Sequence, residues 1–395
     1  MKSAAAIAAL AALGLVAVTN TASEGSQLFL SERITEEEMM YMKYVTEWGK
    51  SYGTKAEFEF RLDQFKKTLN KMALHNSDNA HKSTVGHNQF SDLSWAEFKK
   101  LYLSSPMPVR EQKNVDTSLL SAAKIDLTAD AKDWTTLGAV TPVKNQGQCG
   151  SCWAFSTTGS VEGAWQIAGN PLTSLSEQDL VSCATASGNQ GCNGGLMDNA
   201  FKWIETNGLP TEASYPYTSG SGTTGTCTKG KTSVMKVTGY ADVPQKNKQA
   251  LLAAIITKGM VSAAIEADKS AFQMYKSGVL TSTACGTQLD HGVLAVGYGT
   301  DGSTPYYKVK NSWGATWGFK GFIYLKRGLN ICGISADASY PSVAKAAPVP
   351  VPPGLTVQPP RVAAKSASAD AAMVRGAALP GSPVATRKLP SEESG

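Results

Sequence analysis

The chain has 395 residues, of which 42% are hydrophobic and 17% are charged, and its formal net charge is +5. A chain of this length and composition is globular and has room for more than one domain. The positive charge is spread along the sequence and forms no concentrated basic segment. The composition therefore argues against a nucleic-acid-binding protein.

The N-terminus has the pattern of a secretory signal peptide. Met1 and Lys2 precede an apolar run from Ala4 to Val18, and small residues follow that run. A membrane anchor is the alternative, but the run is short and rich in alanine, and no later segment could span a bilayer. We therefore expect residues 1–22 to be a signal peptide and the chain to enter the secretory pathway. The lysosome, a vacuole and the extracellular space remain open as destinations.

The segment from Thr35 to Ser105 is predicted to be helical. Thr35 and the three glutamates after it have the pattern of an N-cap followed by an acidic first turn. A second helix is predicted from about Lys55 to Asn76, because apolar side chains recur there at helical spacing. The segment has no cysteine, and by itself it is predicted to be a helical accessory segment.

The region from about Leu127 to Val343 changes character along its length. Its helices are predicted first, at Trp153–Ala168, Ser176–Val181 and Met197–Thr206. Short β-type runs follow at Met235–Val237, Val261–Ile265, Val293–Val296, Tyr306–Val309 and Gly321–Leu325. Helices first and strands later predict an α+β fold with two lobes. The remaining residues, 344–395, are rich in proline and alanine and are predicted to form a disordered tail.

Cys152 is distinctive among the seven cysteines, which all lie between Cys149 and Cys332. An odd count leaves one cysteine free after the others pair. A loop rich in small residues ends at Cys152 and a predicted helix begins there, and a helix N-terminus stabilises a thiolate. The alternative is that Cys149 and Cys152 form a redox pair or half of a zinc site. Zinc is poorly supported because a second ligand pair at short spacing is missing.

Three motifs occur in the order typical of the papain-like cysteine peptidases. Residues 146–156 carry Gly-Ser-Cys-Trp at their centre, a signature specific to that family. Residues 289–293, Leu-Asp-His-Gly-Val, supply His291 about 140 residues after Cys152. Residues 311–314, Asn-Ser-Trp-Gly, then supply Asn311. The sequence from Asp133 to Val343 therefore resembles this family, and most closely its cathepsin L branch.

The resemblance implies the fold and the chemistry of a cysteine endopeptidase. Cys152 is expected to attack the scissile carbonyl as a thiolate, with His291 as its cationic partner and later as acid and base. Asn311 is expected to orient the imidazole, and Gln146 to donate its side-chain amide to the oxyanion. Trp313 is expected to shield the Asn–His hydrogen bond from water. Neither a metal nor another cofactor is implied.

The resemblance also implies the substrate cleft. Gly194 and Gly195 belong to a strip that holds the substrate in an extended conformation. The pocket for the second residue before the cut, here called the P2 pocket, is expected to be apolar. The other cleft residues are Leu196, Met197, Ala264, Leu289, Asp290 and Gly292, with Trp317 on the leaving-group side. Asp337 falls at the deepest position of the pocket, so we expect it to accept hydrophobic residues and also Arg or Lys. The alternative is that Asp337 turns to solvent.

Six cysteines allow fifteen disulfide connectivities, which spacing alone does not separate. The resemblance implies one of these sets. Its pairs are Cys149 with Cys192, Cys183 with Cys227, and Cys285 with Cys332.

The N-terminal helices resemble the inhibitory propeptide of the same branch. Glu57, Arg61, Phe65 and Asn76 match its helical signature, although Thr68 stands where asparagine is expected. Asn88, Phe90 and Asp92 match the shorter motif that follows. We therefore predict a propeptide at 23–125 and a mature peptidase domain at 126–343. The propeptide is expected to be an intramolecular inhibitor, and protein and peptide substrates are the expected partners of a monomeric enzyme.

Two other functions remain as alternatives. A catalytically silent binding or storage protein could use the same fold, although each chemical residue of the motifs is present here. An exopeptidase would need an insertion that blocks one end of the cleft, usually with additional histidines. His291 is the one histidine after residue 126, so the sequence favours an endopeptidase.

Overall fold

The computed structural model describes residues 34–121, 131–281 and 285–345. The predicted signal peptide, the predicted junction between propeptide and mature domain, and the predicted tail lie outside these residues. In the part of the chain that is described, no helix is both long enough and apolar enough to cross a membrane.

The described residues contain helices and strands in the mixture that the sequence predicts. The helices are α1 (Glu36–Glu47), α2 (Lys55–Ser77), α3 (Trp95–Tyr102), α4 (Cys152–Ile167), α5 (Glu177–Cys183), α6 (Met197–Asn207), α7 (Lys248–Thr257) and α8 (Ser270–Gln273). The strands are β1 (Ser83–Val85), β2 (Lys132–Asp133), β3 (Val237–Asp242), β4 (Val261–Ile265), β5 (Tyr275–Leu280), β6 (His291–Asp301), β7 (Thr304–Lys310), β8 (Phe322–Lys326) and β9 (Ala338–Val343).

The N-terminal segment, residues 34–121, has a core of its own between α1 and α2. Thr35 and Glu38 form a reciprocal capping box at the start of α1. The rings of Tyr41 and Tyr44 from α1 pack on Phe65 of α2, with centroid distances of 5.2 and 5.0 Å. All three side chains are buried, so aromatic packing holds these two helices together.

The first lobe is built around α4, which is buried along most of its length. Its apolar cluster joins α4 to α5 and α6. Two disulfides, Cys149–Cys192 and Cys183–Cys227, close the loops between these helices. A disulfide of this kind stabilises a fold mainly by restricting the unfolded chain.

The second lobe is a mixed sheet with strand order β1-β5-β8-β7-β6-β4-β9-β3, in which β2 also pairs with β6. The pair β5 and β8 is parallel, and the other pairs are antiparallel. The third disulfide, Cys285–Cys332, belongs to this lobe. Strand β6 is buried from His291 to Gly299 because α4 covers one face of the sheet.

The predicted elements agree with the structure where the sequence pattern is strong. The α+β class with a helical N-terminal segment is confirmed, as are helices α2, α4, α5 and α6 within about two residues, the usual margin for helix ends. The run predicted at Met235–Val237 has the wrong bounds, since Met235 makes only an isolated bridge to Leu209 and the strand runs from Val237 to Asp242. Strand β6 is longer than predicted, so His291 is its first residue.

The N-terminal segment is fixed to the second lobe by backbone pairing and by side chains. Strand β1 joins the sheet beside β5 in antiparallel register, with Ser83 opposite Gly278. The Asn88 side-chain amide donates to the Gln273 carbonyl at 2.7 Å. Phe90 packs edge-on against Trp313 with a centroid distance of 5.2 Å. The segment therefore docks on one face of the sheet lobe before its chain continues toward α4.

We expect Phe65→Ala to destabilise the N-terminal segment by about 3–5 kcal/mol, because it removes a buried ring from a small core. Urea denaturation of the full-length chain in a Cys152→Ala background measures the change without self-cleavage. Phe60→Ala is the matched control, since Phe60 lies on the same helix and is 43% exposed. Equal destabilisation by the two substitutions would contradict the packing described.

Candidate active site

Cys152 is the first residue of α4, and its sulfur lies at the contact between the two lobes. It is the free cysteine of the described residues, and it is buried. The backbone N–H of Gly292, on β6, donates to Cys152 Sγ at 3.2 Å. A Cβ atom at residue 292 would lie 3.1 Å from Trp153 Cα, so glycine allows this close approach of β6 to α4.

His291 precedes Gly292 on β6, and Asn311 follows β7, so two neighbouring strands bring them together. His291 Nε2 lies 2.8 Å from Asn311 Oδ1, which also accepts the Ser312 backbone N–H at 2.7 Å. Because Oδ1 is an acceptor, Nε2 carries the proton and donates. His291 Nδ1 has no hydrogen-bond partner among the described residues.

Trp313 covers this hydrogen bond. Its ring lies against the His291 imidazole with a centroid distance of 4.6 Å, and Trp317 packs edge-on against Trp313 at 5.0 Å. Both indoles are buried, and the Trp317 N–H donates to the Gln273 carbonyl at 3.0 Å. The imidazole therefore has one hydrophobic wall, and water does not reach Nε2 from that side.

Burial keeps the thiol and the imidazole uncharged in this form of the chain. Loss of solvent raises the pKa of the Cys152 thiol above its ordinary value, against the opposing Gly292 hydrogen bond. The same burial lowers the pKa of His291 to about 4, although the Asn311 hydrogen bond acts in the other direction. A neutral pair therefore occupies the place where the sequence resemblance implies an ion pair.

Gln146 lies beside Cys152 on the loop before α4. Its Nε2 donates to the Cys149 carbonyl at 2.8 Å and to the Tyr102 carbonyl at 3.0 Å. Its Oε1 accepts from Ser312 Oγ at 2.6 Å. The side chain is buried and fixed at both ends, so its N–H groups point to a defined place beside the thiol.

Residues 103–114 of the N-terminal segment run through the cleft between the lobes. Ser104 lies on the nucleophile, with its Oγ 3.2 Å from Cys152 Sγ and its backbone N–H donating to the Asp290 carbonyl at 2.9 Å. Ser105 and Met107 then donate their backbone N–H groups to the carbonyls of Asn193 and Leu289, at 3.3 and 2.7 Å. The segment thus covers the cleft from the sulfur outward.

The two glycines predicted for substrate binding lie along this segment. A Cβ atom at Gly194 would be 3.3 Å from Ser104 Cβ. A Cβ atom at Gly195 would be 2.7 Å from the Trp153 ring. The hydrogen bonds of the cleft-filling segment go to Asn193 and Leu289, and the predicted role of the Gly195 backbone remains a prediction.

The predicted P2 pocket is an apolar space filled by Met107. Met107 is buried, and it belongs to one hydrophobic cluster with the predicted pocket residues on both lobes. The pocket members of that cluster are Met197, Ala264 and Leu289, with Leu196 packed against it. Ala336, which the sequence did not single out, belongs to the cluster as well.

Asp337 is 1% exposed in this form of the chain, in which the pro-segment covers it. Arg110 of the cleft-filling segment donates from Nε and Nη2 to the two Asp337 carboxylate oxygens, at 3.0 and 2.6 Å. Its Nη1 donates to Asp198. The sequence reasoning missed Ser104, Arg110 and Asp198. Asp198 in particular has only the pattern of an acidic residue in the first turn of a helix.

Asp290 has a different environment from Asp337. Its Oδ1 accepts the Ala267 N–H at 2.8 Å, and Oδ2 has no hydrogen-bond partner among the described residues. Burial raises the pKa of Asp290 to about 7. Its backbone carbonyl, which binds Ser104, is the part of Asp290 that faces the cleft.

The predicted propeptide residues lie within the N-terminal segment or at its docking face. Arg61 donates to Glu97 at 2.8 Å and lies 3.6 Å from the half-exposed Glu57. Asn76 exchanges two hydrogen bonds with the Val85 backbone, each of 2.9 Å. Asp92 is buried and accepts from Tyr44, Lys50 and Tyr52, at 2.8, 2.8 and 2.6 Å. These contacts hold the segment in the shape that carries Ser104 to the sulfur.

The alternatives for Cys149 and Cys152 are excluded by the disulfides. Cys149 is bonded to Cys192, so it is unavailable as a redox partner or zinc ligand beside Cys152. In the described ranges, no group of three or more histidine, cysteine and acidic side chains could hold a metal ion.

Residues 128–342 match the family model for papain family cysteine proteases. This chain is a member of that family. Residues 41–98 match the cathepsin propeptide inhibitor domain, so the protease carries its inhibitor on the same chain and is made as a zymogen. The segment 34–121 is therefore called the pro-segment below.

Relatives and solved structures agree with this assignment. The protease is 41% identical over 345 residues to cathepsin L of Sarcophaga peregrina, covering 84% of this chain and 98% of the relative. It is 44% identical over 334 residues to germination-specific cysteine protease 1 of Arabidopsis thaliana, covering 80% and 87%. Digestive procathepsin L 3 of Tenebrio molitor matches with a TM-score of 0.70 at 36% identity, over 78% of this chain and all of that one.

We expect Cys152 to be poorly reactive in the full-length chain at pH 7, because its raised pKa leaves little thiolate. Alkylation by iodoacetamide at pH 7 should be slow, because burial raises the pKa of Cys152 and Ser104 lies on its sulfur. After removal of the pro-segment, the rate at pH 7 should rise severalfold, since both the burial and the covering side chain are lost. Mass spectrometry checks the chain length of each preparation, and the urea-unfolded chain is the reference. Equal rates for the two forms at pH 7 would disprove the expectation.

Proposed function

We propose that the protease is an endopeptidase that cleaves peptide bonds through a thiolate–imidazolium pair and a thioester acyl-enzyme. The proposal is carried by one observation: a thiol, an imidazole and an orienting amide meet where the pro-segment crosses the cleft. Loss of the pro-segment lets water into the cleft, which lowers the cost of charging Cys152 and His291. The thiol proton then moves to the imidazole.

The reaction follows in two halves. Cys152 Sγ bonds to the scissile carbonyl carbon, and the tetrahedral intermediate breaks its C–N bond as His291 gives its proton to the leaving amine. A water molecule then attacks the thioester while His291 takes its proton, and the S–C bond breaks to return the thiolate and release the acid. Asn311 keeps the ring oriented through both halves, because it holds Nε2 and leaves Nδ1, which has no hydrogen-bond partner among the described residues, to exchange the proton.

Gln146 is proposed to stabilise the oxyanion together with the backbone N–H of Cys152. Support comes from the pro-segment, whose Tyr102 carbonyl oxygen accepts from Gln146 Nε2 at 3.0 Å, where a substrate oxygen would be received. A preorganised donor at this point stabilises the negative charge that develops in the transition state.

We expect Gln146→Ala to lower kcat about 10²- to 10³-fold with little change in KM, because the donor acts on the transition state. Active-site titration with an epoxysuccinyl inhibitor, followed by mass spectrometry of the labelled Cys152 peptide, corrects the rate for folded enzyme. An unchanged kcat accompanied by a raised KM would show that Gln146 binds the ground state instead.

The cleft geometry favours an endopeptidase over an exopeptidase. The pro-segment enters the cleft from α3 and leaves it past Asp337, where Gln112 Nε2 donates to the Val243 carbonyl at 2.7 Å. A continuous chain therefore passes through the site, and none of the described residues closes either end. A catalytically silent protein is not favoured, since each group of the proposed mechanism is present and in place.

Asp337 is proposed to let the apolar P2 pocket accept basic residues as well. The proposal is supported by Met107, which is buried in one apolar cluster with the predicted pocket residues, and by the ion pair between Arg110 and Asp337. Removing one partner of such a buried charge pair weakens binding strongly, because the other charge is left without a partner.

We expect Asp337→Ala to lower kcat/KM on an Arg-Arg substrate about 10- to 100-fold relative to a Leu-Arg substrate, since a buried ion pair is lost. The comparison is made on processed enzyme from the full-length chain, with titrated active sites. Survival of the Arg-Arg activity in the variant would remove Asp337 from the pocket.

The secretory pathway is proposed as the route of this protease. Three disulfides, Cys149–Cys192, Cys183–Cys227 and Cys285–Cys332, form in an oxidising compartment and would be reduced in the cytosol. The lysosome, a vacuole and the outside of the cell all fit this property.

A further inference from the structure

Arg110 of the pro-segment ends among three buried carboxylates. It donates from two nitrogens to Asp337 and from the third to Asp198. Asp242 lies behind them, with Oδ1 3.6 Å from Arg110 Nη2. The side chains of Asp198, Asp242 and Asp337 are each 2% exposed. A guanidinium is therefore bound in a closed site by carboxylates that all belong to the catalytic part of the chain.

These carboxylates come from three elements of the two lobes. Asp198 is in the first turn of α6, Asp242 ends β3, and Asp337 precedes β9. Ser339 Oγ donates to Asp198 Oδ1 at 2.7 Å, which fixes that carboxylate from the side of β9. The carboxylate of Asp198 is therefore oriented from within the catalytic part of the chain, whereas Asp242 Oδ2 also accepts the backbone N–H groups of Lys113 and Asn114 in the pro-segment, each at 3.2 Å.

The site has no other cation to neutralise it. Among the described residues, Arg110 is the basic group within ion-pair distance of Asp198, Asp242 and Asp337. Asp242 Oδ1 is buried, and no hydrogen-bond partner is found for it in the described part of the chain. Departure of Arg110 with the pro-segment admits water and leaves three neighbouring carboxylates without their cation. A substrate cation that displaces this water then meets concentrated negative charge.

We propose that Asp198 and Asp337, backed by Asp242, form a guanidinium-binding site at the end of the P2 pocket that selects substrate Arg over Lys. This inference rests on the proposed acceptance of basic P2 residues, and it adds which basic residue is preferred. Asp198 becomes a second specificity-determining residue, and Arg110 is the intramolecular ligand of the site in the zymogen.

The position of the site fits a P2 side chain. Met197 and Ala336 belong to the apolar cluster around Met107, and each is followed directly in sequence by one of the acids. On this proposal, a basic side chain longer than methionine passes these apolar residues and extends to the carboxylates that Arg110 occupies in the zymogen. Its stem is buried in the pocket while its charged end meets Asp198 and Asp337.

The preference for Arg comes from geometry, because Arg and Lys have the same charge. The guanidinium offers five N–H donors in a rigid plane, and here one edge binds Asp337 with two hydrogen bonds while another nitrogen binds Asp198. The ammonium of Lys carries its three donors on one nitrogen, so it lacks the two parallel N–H groups that one edge of a guanidinium offers a carboxylate.

The test uses the full-length chain, processed and then titrated at its active site. Three peptide substrates share Arg before the cut and carry Arg, Lys or Leu at P2. For the unmodified enzyme we expect kcat/KM to be at least tenfold higher with Arg than with Lys at P2. Asp198→Asn should lower the ratio of the Arg rate to the Leu rate at least tenfold and bring Arg and Lys to similar values. Asn at this position still accepts from Ser339, so that contact is kept.

Glu205→Gln is the matched control, since it removes one negative charge from the exposed face of the same helix and should keep the Arg-to-Lys ratio of the unmodified enzyme. Equal rates with Arg and Lys in the unmodified enzyme overturn the inference, as does an Asp198→Asn enzyme with unchanged ratios. If Asp337→Ala removes the Arg activity while Asp198→Asn keeps it, the basic P2 preference stands and the two-carboxylate site fails. If neither basic substrate is cut, the proposed P2 preference itself fails.

A second readout comes from the zymogen. Arg110→Lys keeps the charge of the pro-segment but loses the paired hydrogen bonds, so processing of the full-length chain should be at least fivefold faster than in the unmodified protein. Arg110→Ala should be faster still. A Lys variant that is processed at the rate of the unmodified chain would show that charge alone is recognised and would overturn the selection of Arg.

Discussion

The contact between β6 and the first turn of α4 determines the rest of the active site. Gly292 lies so close to Trp153 that a side chain at residue 292 would push the lobes apart. This close approach lets the Gly292 N–H donate to the Cys152 sulfur. His291, which precedes Gly292 in sequence, therefore also lies where the two lobes meet. Asn311 follows β7, which pairs with β6, and this pairing brings Asn311 beside the imidazole. The nucleophile and its base are therefore positioned by packing between backbones.

The pro-segment inhibits by occupying the same groups that would receive a substrate. Ser104 lies on the sulfur, the Tyr102 carbonyl lies on Gln146, and Met107 fills the apolar pocket. Burial also moves the pKa of Cys152 upward and that of His291 downward, so both groups stay neutral while the segment is in place. Inhibition thus has a steric part and an electrostatic part, and both end when water returns to the cleft.

The sequence predicted the elements and groups whose patterns are local. The α2 stripe, the cysteine at a helix start and the apolar run of β4 all depend on neighbours within a few residues, and the structure has them in those places. The three disulfides and the meeting of His291 with Asn311 came from family resemblance, because pairings across twenty or more residues leave no local trace. Arg110 has no distinguishing pattern, and Asp198 has only that of an acidic residue in the first turn of a helix. Arg110 and Asp198 meet because distant parts of the chain fold together around one guanidinium. A single residue in a polar stretch or in the first turn of a helix does not predict such a contact.

Strand β1 gives the zymogen a further property. It completes the sheet by pairing with β5, whose Val279 N–H donates to the Lys82 carbonyl at 2.9 Å. Gly278 takes a positive φ of 76° at this point, and Lys82 O would lie 2.3 Å from a Cβ atom there. Once the pro-segment has gone, β5 is an edge strand whose N–H and C=O groups have lost their partners, and such edges template pairing with other extended chains. The exposed Lys276 on that strand is the kind of charged residue that keeps sheet edges apart. Activation therefore moves this edge of the sheet from the three-residue β1 to the six-residue β5, so the processed enzyme has a longer edge strand open to pairing.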